Sequence, residues 1–149
     1  RLDLLENLDD QVKRSVAAGA RLVCGGKRME GKGYFYEPTV LSDVLPGMAA
    51  FDEETFGPVA AIVECNGADE AVKLANQSQY GLGASIWTRD IERAEDLARR
   101  IEAGCVFING TVKSDARLPF GGIKQSGHGR ELSTVGMREF VNIKTVWVK

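Results

Sequence analysis

Residues 83–109, GASIWTRDIERAEDLARRIEAGCVFIN, contain a strand, a helix and a second strand in close succession. The first and last segments are apolar runs of strand length, and the segment between them has apolar residues three and four positions apart, which predicts a helix over Ile91–Ala103. Asp90 before this helix is a natural N-cap, and Gly104 after it is a natural stop. Strands joined by such a helix favour a parallel β-α-β unit.

The same pattern begins further upstream, so that the predicted unit extends to β-α-β-α-β. A strand is predicted over Val59–Cys65, and a helix over Ala68–Gln77 connects it to the strand at Gly83–Thr88. The runs AAIVEC and CVFIN are apolar enough to predict strands that are buried on both faces. The sequence therefore predicts the α/β class, with an open, mostly parallel, twisted sheet and helices on both of its faces.

A helix and two short strands are predicted before this unit. Over Leu4–Ala18 the apolar side chains recur at spacings of three and four, and Gly19 follows as a stop. The residues on this apolar face are Leu5, Leu8, Val12 and Val16. Strands are predicted at Arg21–Cys24 and at Tyr34–Leu41, the second one irregular because Pro38 interrupts it.

After the last strand the chain changes to a glycine-rich loop, a short helix around Ser133–Phe140 and a terminal alternating strand, Asn142–Lys149. We therefore expect one domain over residues 1–140 and a separate strand over residues 141–149. Alone, this apolar strand would be an open sheet edge of the kind that pairs with another chain. An ordinary edge within the same sheet is the alternative.

The composition argues against several classes of partner. The 149 residues carry 19 Lys and Arg against 21 Asp and Glu, and the signs are mixed along the chain. This balance argues against nucleic acid and against an anionic membrane as partners, and no apolar run reaches the roughly 20 residues of a membrane span. Three widely spaced cysteines and a single histidine predict a reducing compartment and no metal site. We expect a soluble, cytoplasmic protein.

The glycine-rich loop FGGIKQSGHGRE, Phe120–Glu131, allows two interpretations. Gly122 and Gly127 have the spacing of a phosphate-binding loop, but the lysine and hydroxyl residue that would contact the phosphates and Mg²⁺ do not follow the second glycine. His128 stands there instead, and we expect it to be an exposed loop residue. We favour a structural loop that uses the conformational freedom of glycine, and a phosphate-loop NTPase is the weakest hypothesis.

The acidic segment FDEETFGP, Phe51–Pro58, also allows two interpretations. It is either a solvated turn before a strand or part of a binding site. A carboxylate accepts two hydroxyl hydrogen bonds and so suits a ribose diol, and an aromatic ring two residues later can lean against a flat heterocycle. Spacing alone favours the solvated turn.

None of the cysteines has the surroundings of a nucleophile. Cys65 and Cys105 lie in apolar strand contexts, where a cysteine usually packs as a small hydrophobic residue, and no histidine base accompanies either of them.

Four segments occur in a fixed order: EETFGP (53–58), ANQSQYGLGASIWTRD (75–90), GCVFING (104–110) and PFGGIKQSGHGRE (119–131). Together they closely resemble the C-terminal third of the aldehyde dehydrogenase superfamily, and the resemblance covers nearly the whole chain. The segment NGTVKSDAR (109–117), followed by LPFGGIKQSG, further resembles the succinate-semialdehyde dehydrogenase branch.

This resemblance implies an oxidoreductase that converts an aldehyde, by the branch match succinate semialdehyde, to its acid with NAD or NADP. In the family a cysteine thiolate adds to the carbonyl, hydride passes to the nicotinamide, and a water molecule activated by a glutamate hydrolyses the thioester. That cysteine precedes the E-x-F-G-P glutamate by more residues than this chain has before Glu54. The resemblance therefore implies no catalytic residue in this chain, and an isolated chain without activity.

The resemblance does assign binding residues. Glu54 matches the residue that holds the nicotinamide ribose hydroxyls, and Phe56 matches the ring that packs beside the nicotinamide. Phe120 matches a wall of the aldehyde tunnel, and Ser114 matches the hydroxyl that the succinate-semialdehyde branch presents to the substrate carboxylate. Arg117 either adds charge there or forms a surface ion pair with the nearby aspartate.

The family's C-terminal strand adds to the sheet of a neighbouring subunit, which implies a homo-oligomer assembled through Asn142–Lys149. The alternative hypothesis from another functional class is a free-standing α/β binding or assembly module that has kept the fold and lost the chemistry.

Overall fold

The computed structural model describes every residue from Arg1 to Lys149. It contains five helices and seven strands in a mixed α/β arrangement. The helices are α1 (Leu2–Ala17), α2 (Ala49–Asp52), α3 (Ala68–Asn76), α4 (Ile91–Arg100) and α5 (Ser133–Arg138). The strands are β1 (Arg21–Cys24), β2 (Thr39–Ser42), β3 (Val59–Ala61), β4 (Tyr80–Gly81), β5 (Gly83–Ile86), β6 (Cys105–Ile108) and β7 (Ile123–Lys124).

The chain forms two compact units, Arg1–Leu74 and Ala75–Lys149. The first contains a three-stranded sheet in which β2 pairs with β1 in antiparallel and with β3 in parallel orientation. Its core is one cluster of apolar side chains from α1, from Ala20 and Tyr36, and from the segment that begins at Leu41. The buried members of this cluster include Leu5, Leu8, Val12, Leu41, Val44 and Met48.

Helix α1 confirms the predicted first helix but buries a different set of residues. Leu5, Leu8 and Val12 face the core as predicted, whereas Val16 is exposed. Ser15 is fully buried in its place because its hydroxyl has two partners: it donates to the Gln11 carbonyl at 2.8 Å and accepts from the Ala50 N–H at 2.8 Å. The buried face of α1 is therefore partly polar, and its polar groups hold the start of α2.

The second unit contains the β-α-β unit that the sequence predicts. Strands β5 and β6 pair in parallel from Gly83 opposite Cys105 to Ile86 opposite Ile108, and α4 lies between them in the chain and contacts β6. The Asp90 carboxylate accepts a hydrogen bond from the Arg93 N–H at 3.0 Å, which confirms it as the N-cap.

Gly104 does not have the predicted role of helix stop. Helix α4 ends at Arg100, before this glycine is reached. The backbone of Gly121 lies so close to Gly104 that any side chain at position 104 would collide with the Gly121 carbonyl. The glycine is needed for this close approach of two backbones rather than for ending the helix.

The strands are shorter and more exposed than the sequence predicts. Strand β3 ends at Ala61 rather than at Cys65, and two of its three residues are exposed. All four residues of β6 are only half-buried. The prediction that these strands are buried on both faces is therefore wrong for this chain, because a strand's second face needs a covering layer that these residues do not supply. The single open sheet stays a prediction.

The C-terminal segment lacks regular structure. Helix α5 ends at Arg138, two residues before the predicted end, and residues 142–149 form no strand within the single chain. Their apolar side chains are among the most exposed of the protein, with Trp147 at 81% and Val148 at 85%. The strand that would join a partner subunit thus stays a prediction. None of the helices has the length and apolar character needed to cross a lipid bilayer.

Candidate functional site

Glu53 and Glu54 are adjacent in the chain, yet their carboxylates have different surroundings. Arg14 of α1 donates to both Glu53 oxygens, from Nη1 to Oε1 at 2.7 Å and from Nη2 to Oε2 at 2.8 Å. Gln11 of the same helix adds a bond from Nε2 to Glu53 Oε2 at 3.1 Å. The Arg14 bonds first, and then the Gln11 bond, lower the pKa of Glu53 to about 2. Glu53 is thus a charged anchor fixed to α1.

The Glu54 carboxylate, in contrast, is exposed and has no hydrogen bond or ion pair within the chain. Only its backbone is held, because the Gln11 Nε2 that binds Glu53 also donates to the Glu54 carbonyl oxygen at 3.1 Å. The structure therefore fixes the backbone at this residue and leaves both side-chain oxygens able to accept hydrogen bonds from another molecule.

Phe56 is exposed to solvent, as Glu54 is. Exposure alternates along the segment: Glu53 and Thr55 are half-buried, whereas Glu54 and Phe56 are exposed, Phe56 at 61%. This alternation is expected of extended backbone, in which every second side chain points the same way. The structure therefore presents a carboxylate and an aromatic ring together to the outside.

The far end of this loop is also anchored. A side chain at Gly57 would collide with the buried side chain of Leu8 on α1, so the loop passes directly over that helix. The Pro58 carbonyl then accepts a hydrogen bond from the Thr39 N–H at 2.8 Å, where β3 begins its pairing with β2. The solvated turn that the sequence favours is thus correct only in part, since Glu54 is exposed and unpaired but Glu53 is bound by side chains of α1.

Phe120 belongs to the second unit. Its backbone pairs with Glu131 through two hydrogen bonds of 2.9 and 2.8 Å. It lines two cavities of about 400 Å³ each, one beside β6 and the other beside the glycine-rich loop. The first of these cavities is also lined by Lys113 and Asp115. Ser114 is exposed and does not belong to that lining.

Arg117 forms the surface ion pair that was one of its two predicted roles. Its Nε donates to Asp115 Oδ1 at 2.9 Å and its Nη2 to Oδ2 at 2.7 Å. These bonds lower the pKa of Asp115 to about 2. The charge of Arg117 is therefore largely neutralised by its neighbour.

The lysine of the glycine-rich loop is fully engaged. Lys124 Nζ contacts the Asn76 carbonyl at 2.8 Å, the Ser78 carbonyl at 3.0 Å and Glu102 Oε2 at 2.8 Å. An ammonium group has three protons, and these three acceptors use all of them. Lys124 is therefore part of the internal structure and does not serve as a phosphate ligand.

The backbone of the same loop is also used internally. The N–H groups of Gln125, Ser126 and Gly127 donate to the carbonyls of Gln79, Ile123 and Lys124. A phosphate cradle requires N–H groups that are free to point at the anion. The structure therefore supports the structural-loop interpretation over the phosphate-loop one.

None of the three cysteines, and not the single histidine, forms a hydrogen bond with a titratable side chain. The Cys105 thiol lies within hydrogen-bond distance of the Leu82 carbonyl, and burial raises the pKa of this thiol, which disfavours the nucleophilic thiolate. Cys24 and Cys65 are exposed, so the predicted packing of Cys65 as a small hydrophobic residue is wrong; the strand before it ends too early to bury it. His128 is exposed, as predicted.

Sequence reasoning missed the anchoring residues of α1. Gln11 and Arg14 carry no motif, and their partner Glu53 lies far away in the chain. One signal was available for the buried polar face. The spacing of three, four and three that begins Leu5, Leu8, Val12 continues to Ser15 and not to Val16.

Comparison with known proteins identifies the family. The family model described as "Aldehyde dehydrogenase family" matches residues 3–146. The chain belongs to the aldehyde dehydrogenase family. The resemblance inferred from the four sequence segments is thereby confirmed.

Two curated relatives and one solved structure of this family illustrate the similarity. The chain is 54% identical over 147 residues to the succinate semialdehyde dehydrogenase [NAD(P)+] Sad of Escherichia coli (strain K12), covering 99% of this chain and 32% of that protein. It is 51% identical over 146 residues to a probable succinate-semialdehyde dehydrogenase [NADP(+)] of Synechocystis, covering 98% and 32%. The succinic semialdehyde dehydrogenase of Streptococcus pyogenes, solved in complex with NADP+, matches with a TM-score of 0.94 and 38% identity, covering 99% and 32%.

These matches confirm the resemblance to the succinate-semialdehyde dehydrogenase branch as well. The chain spans about a third of the length of the aldehyde dehydrogenases that it matches.

Proposed function

We propose that this chain is the C-terminal part of the catalytic domain of an NAD(P)-dependent aldehyde dehydrogenase that oxidises succinate semialdehyde to succinate. The observation that carries the proposal is the contrast between the two adjacent glutamates. Glu53 is consumed by bonds to α1, and Glu54 is left with two unpaired oxygens on an anchored backbone. Succinate-semialdehyde dehydrogenases among the relatives, at 54% and 51% identity, support the substrate.

The residues present fit the nicotinamide end of a dinucleotide. A carboxylate with two free oxygens can accept hydrogen bonds from both hydroxyls of a ribose diol. Phe56, also exposed, offers a flat apolar surface for the nicotinamide ring. When bound, the dinucleotide supplies the hydride acceptor. Glu54 then orients the ribose, and Phe56 packs against the ring and keeps water from one of its faces.

Phe120 and Ser114 are proposed to contribute to the substrate side. Phe120 lines two cavities, as a residue in a tunnel wall does. Ser114 is exposed, and its hydroxyl has no partner within the chain, so it is able to donate to a substrate carboxylate. In this proposal the nucleophilic cysteine and the general base lie outside these 149 residues, which agrees with the raised pKa of the Cys105 thiol.

The large apolar side chains left exposed on the strands support a further covering layer in the complete enzyme. Leu22, Val23 and Ile62 are each at least 40% exposed, which is unusual for residues in or next to sheet strands. We propose residues 1–140 as part of one catalytic domain, residues 141–149 as the oligomerisation strand, and a cytoplasmic location.

The assignment of Glu54 is tested in the full-length protein that carries this segment. Glu54→Gln keeps the size of the side chain and removes its charge, so charge-assisted bonds to the ribose hydroxyls are lost. We expect hydride transfer from succinate semialdehyde, measured as NADH or NADPH formed in a single turnover, to slow by roughly tenfold or more.

The control is Glu64→Gln, which changes an exposed glutamate without a partner in the same unit. It should leave the rate at the wild-type value. An unchanged single-turnover rate in Glu54→Gln would refute the ribose assignment.

A further inference from the structure

We propose that Gln11 and Arg14 of α1 act through Glu53 as positioning residues, which aim the Glu54 carboxylate at the dinucleotide ribose. The inference rests on the proposed function of Glu54 and extends it to residues of a different element.

The two positioning side chains share one face of α1. Gln11 and Arg14 are three residues apart, so they project from neighbouring turns of α1 toward the same loop. Gln11 is only 2% exposed, and its single amide nitrogen donates both to Glu53 Oε2 and to the Glu54 carbonyl oxygen, at 3.1 Å each. One buried amide group therefore binds both the side chain of Glu53 and the backbone of Glu54.

Arg14 fixes the orientation of the anchor. Its guanidinium forms two parallel bonds to Glu53, and its Nε donates to Asp10 Oδ2 at 2.6 Å on the preceding turn of the helix. A planar guanidinium held on both sides defines the direction of the carboxylate as well as its distance, which a lysine cannot do.

The backbone connects this anchor to Glu54. The backbone at Glu53 is extended, with φ −108° and ψ 155°. In extended backbone, neighbouring side chains point to opposite sides. Fixing Glu53 toward α1 therefore directs Glu54 away from α1, and both Glu54 and Phe56 are exposed.

Both side chains of the anchor are partly exposed to solvent. The Arg14 side chain is 47% exposed and that of Glu53 38%, so solvent weakens the ion pair as a source of stability. A partly exposed pair of this kind is better suited to restricting the orientation of a loop than to holding the fold together. Its loss should consequently appear in ligand binding before it appears in thermal stability.

The experiment compares variants of the full-length protein. Arg14→Met and Glu53→Gln each break the anchor, and the double variant tests whether the two residues act as one unit. Arg14→Lys retains the charge without the planar fork. Arg21→Met is the matched control, because it breaks another exposed arginine pair of the same unit, Arg21 with Asp43 at 3.0 Å, away from the loop.

The dissociation constants of NAD⁺ and NADP⁺ are measured by quenching of protein fluorescence, and the KM values of dinucleotide and aldehyde are measured separately. We expect both single variants to weaken dinucleotide binding by about threefold or more, with the aldehyde KM unchanged. The double variant should be no weaker than either single one. Arg14→Lys should restore part of the affinity, and Arg21→Met should bind as wild type.

Two outcomes would overturn the proposal, and they are distinguishable. Wild-type affinity in Arg14→Met and Glu53→Gln, together with weakened binding in Glu54→Gln, would refute the positioning role and leave the ribose assignment standing. Wild-type affinity in Glu54→Gln would refute both. If Arg14→Met does not fold, Arg14→Lys and Glu53→Gln provide the same comparison.

Discussion

The adjacent glutamates Glu53 and Glu54 have different surroundings in this chain. Glu53 is bound by Arg14 and Gln11, and Glu54 is left free. The sequence predicts an acidic turn here, and the family resemblance selects the second glutamate for the ribose. Neither predicts the anchor, because the arginine that binds Glu53 lies 39 positions away and a long-range ion pair leaves no local pattern.

The lowered pKa of Glu53 predicts how stability depends on pH. The folded protein holds this carboxylate charged, with a pKa of about 2 against an ordinary value of 4.5. The stabilisation is therefore complete above pH 4.5 and is lost as the pH falls through 2. Because both partners are partly exposed, this stabilisation is small, and we expect the free energy of unfolding to fall over this range by only slightly more in the wild-type protein than in Glu53→Gln. Denaturant titrations at pH 7, 4.5 and 3 measure it, and parallel profiles for the two proteins would contradict it.

At the scale of elements, the sequence predicted correctly those features that depend on residues close together in the chain. The N-cap of α4 and the parallel pairing of β5 with β6 were both predicted from short segments, and the structure contains both. The ends and the burial of elements were predicted less well. Gly104 was assigned to the helix end, whereas its contact with Gly121 comes from a distant part of the chain. A strand's burial likewise depends on what covers it, which its own residues do not encode.

The N-cap of α4 gives a prediction at this scale. Asp90→Ala removes the bond to the Arg93 N–H and should lower the free energy of unfolding by about 1 kcal/mol. Asp90→Ser retains a capping oxygen and should lie close to wild type. Urea denaturation of the three proteins measures the difference. Asp96→Ala, an exposed aspartate within the same helix, is the control, and an equal loss in that variant would argue against capping as the cause.

For the whole molecule, the sequence predicts the family and the α/β class, and the comparisons and the structure agree with both. The candidate cofactor residues Glu54 and Phe56 share one loop, whereas Phe120 and Ser114 belong to the other unit. That these four residues contribute to one cofactor and substrate site stays a prediction. The sequence motifs identify the residues, but they do not identify the protein surfaces that pack against them. The same holds for the C-terminal segment, whose apolar side chains have no partner surface in a single chain.

Removal of residues 142–149 tests the role of that segment in assembly. In the full-length protein we expect this truncation to lower the oligomeric state, because a strand that pairs with a neighbouring subunit would be lost. Light scattering coupled to size-exclusion chromatography measures the particle mass. Deletion of Lys149 alone is the control and should leave the mass unchanged. An unchanged mass in the longer truncation would show that assembly does not depend on these residues.

The contact between Gly104 and Gly121 has a consequence for altering substrate preference. A side chain at position 104 would collide with the Gly121 carbonyl, so any residue larger than glycine there would displace either the start of β6 or the loop that follows Phe120. Libraries aimed at reshaping the cavity beside Phe120 should therefore leave both glycines untouched and vary side chains that line this cavity, such as Lys113 and Leu118.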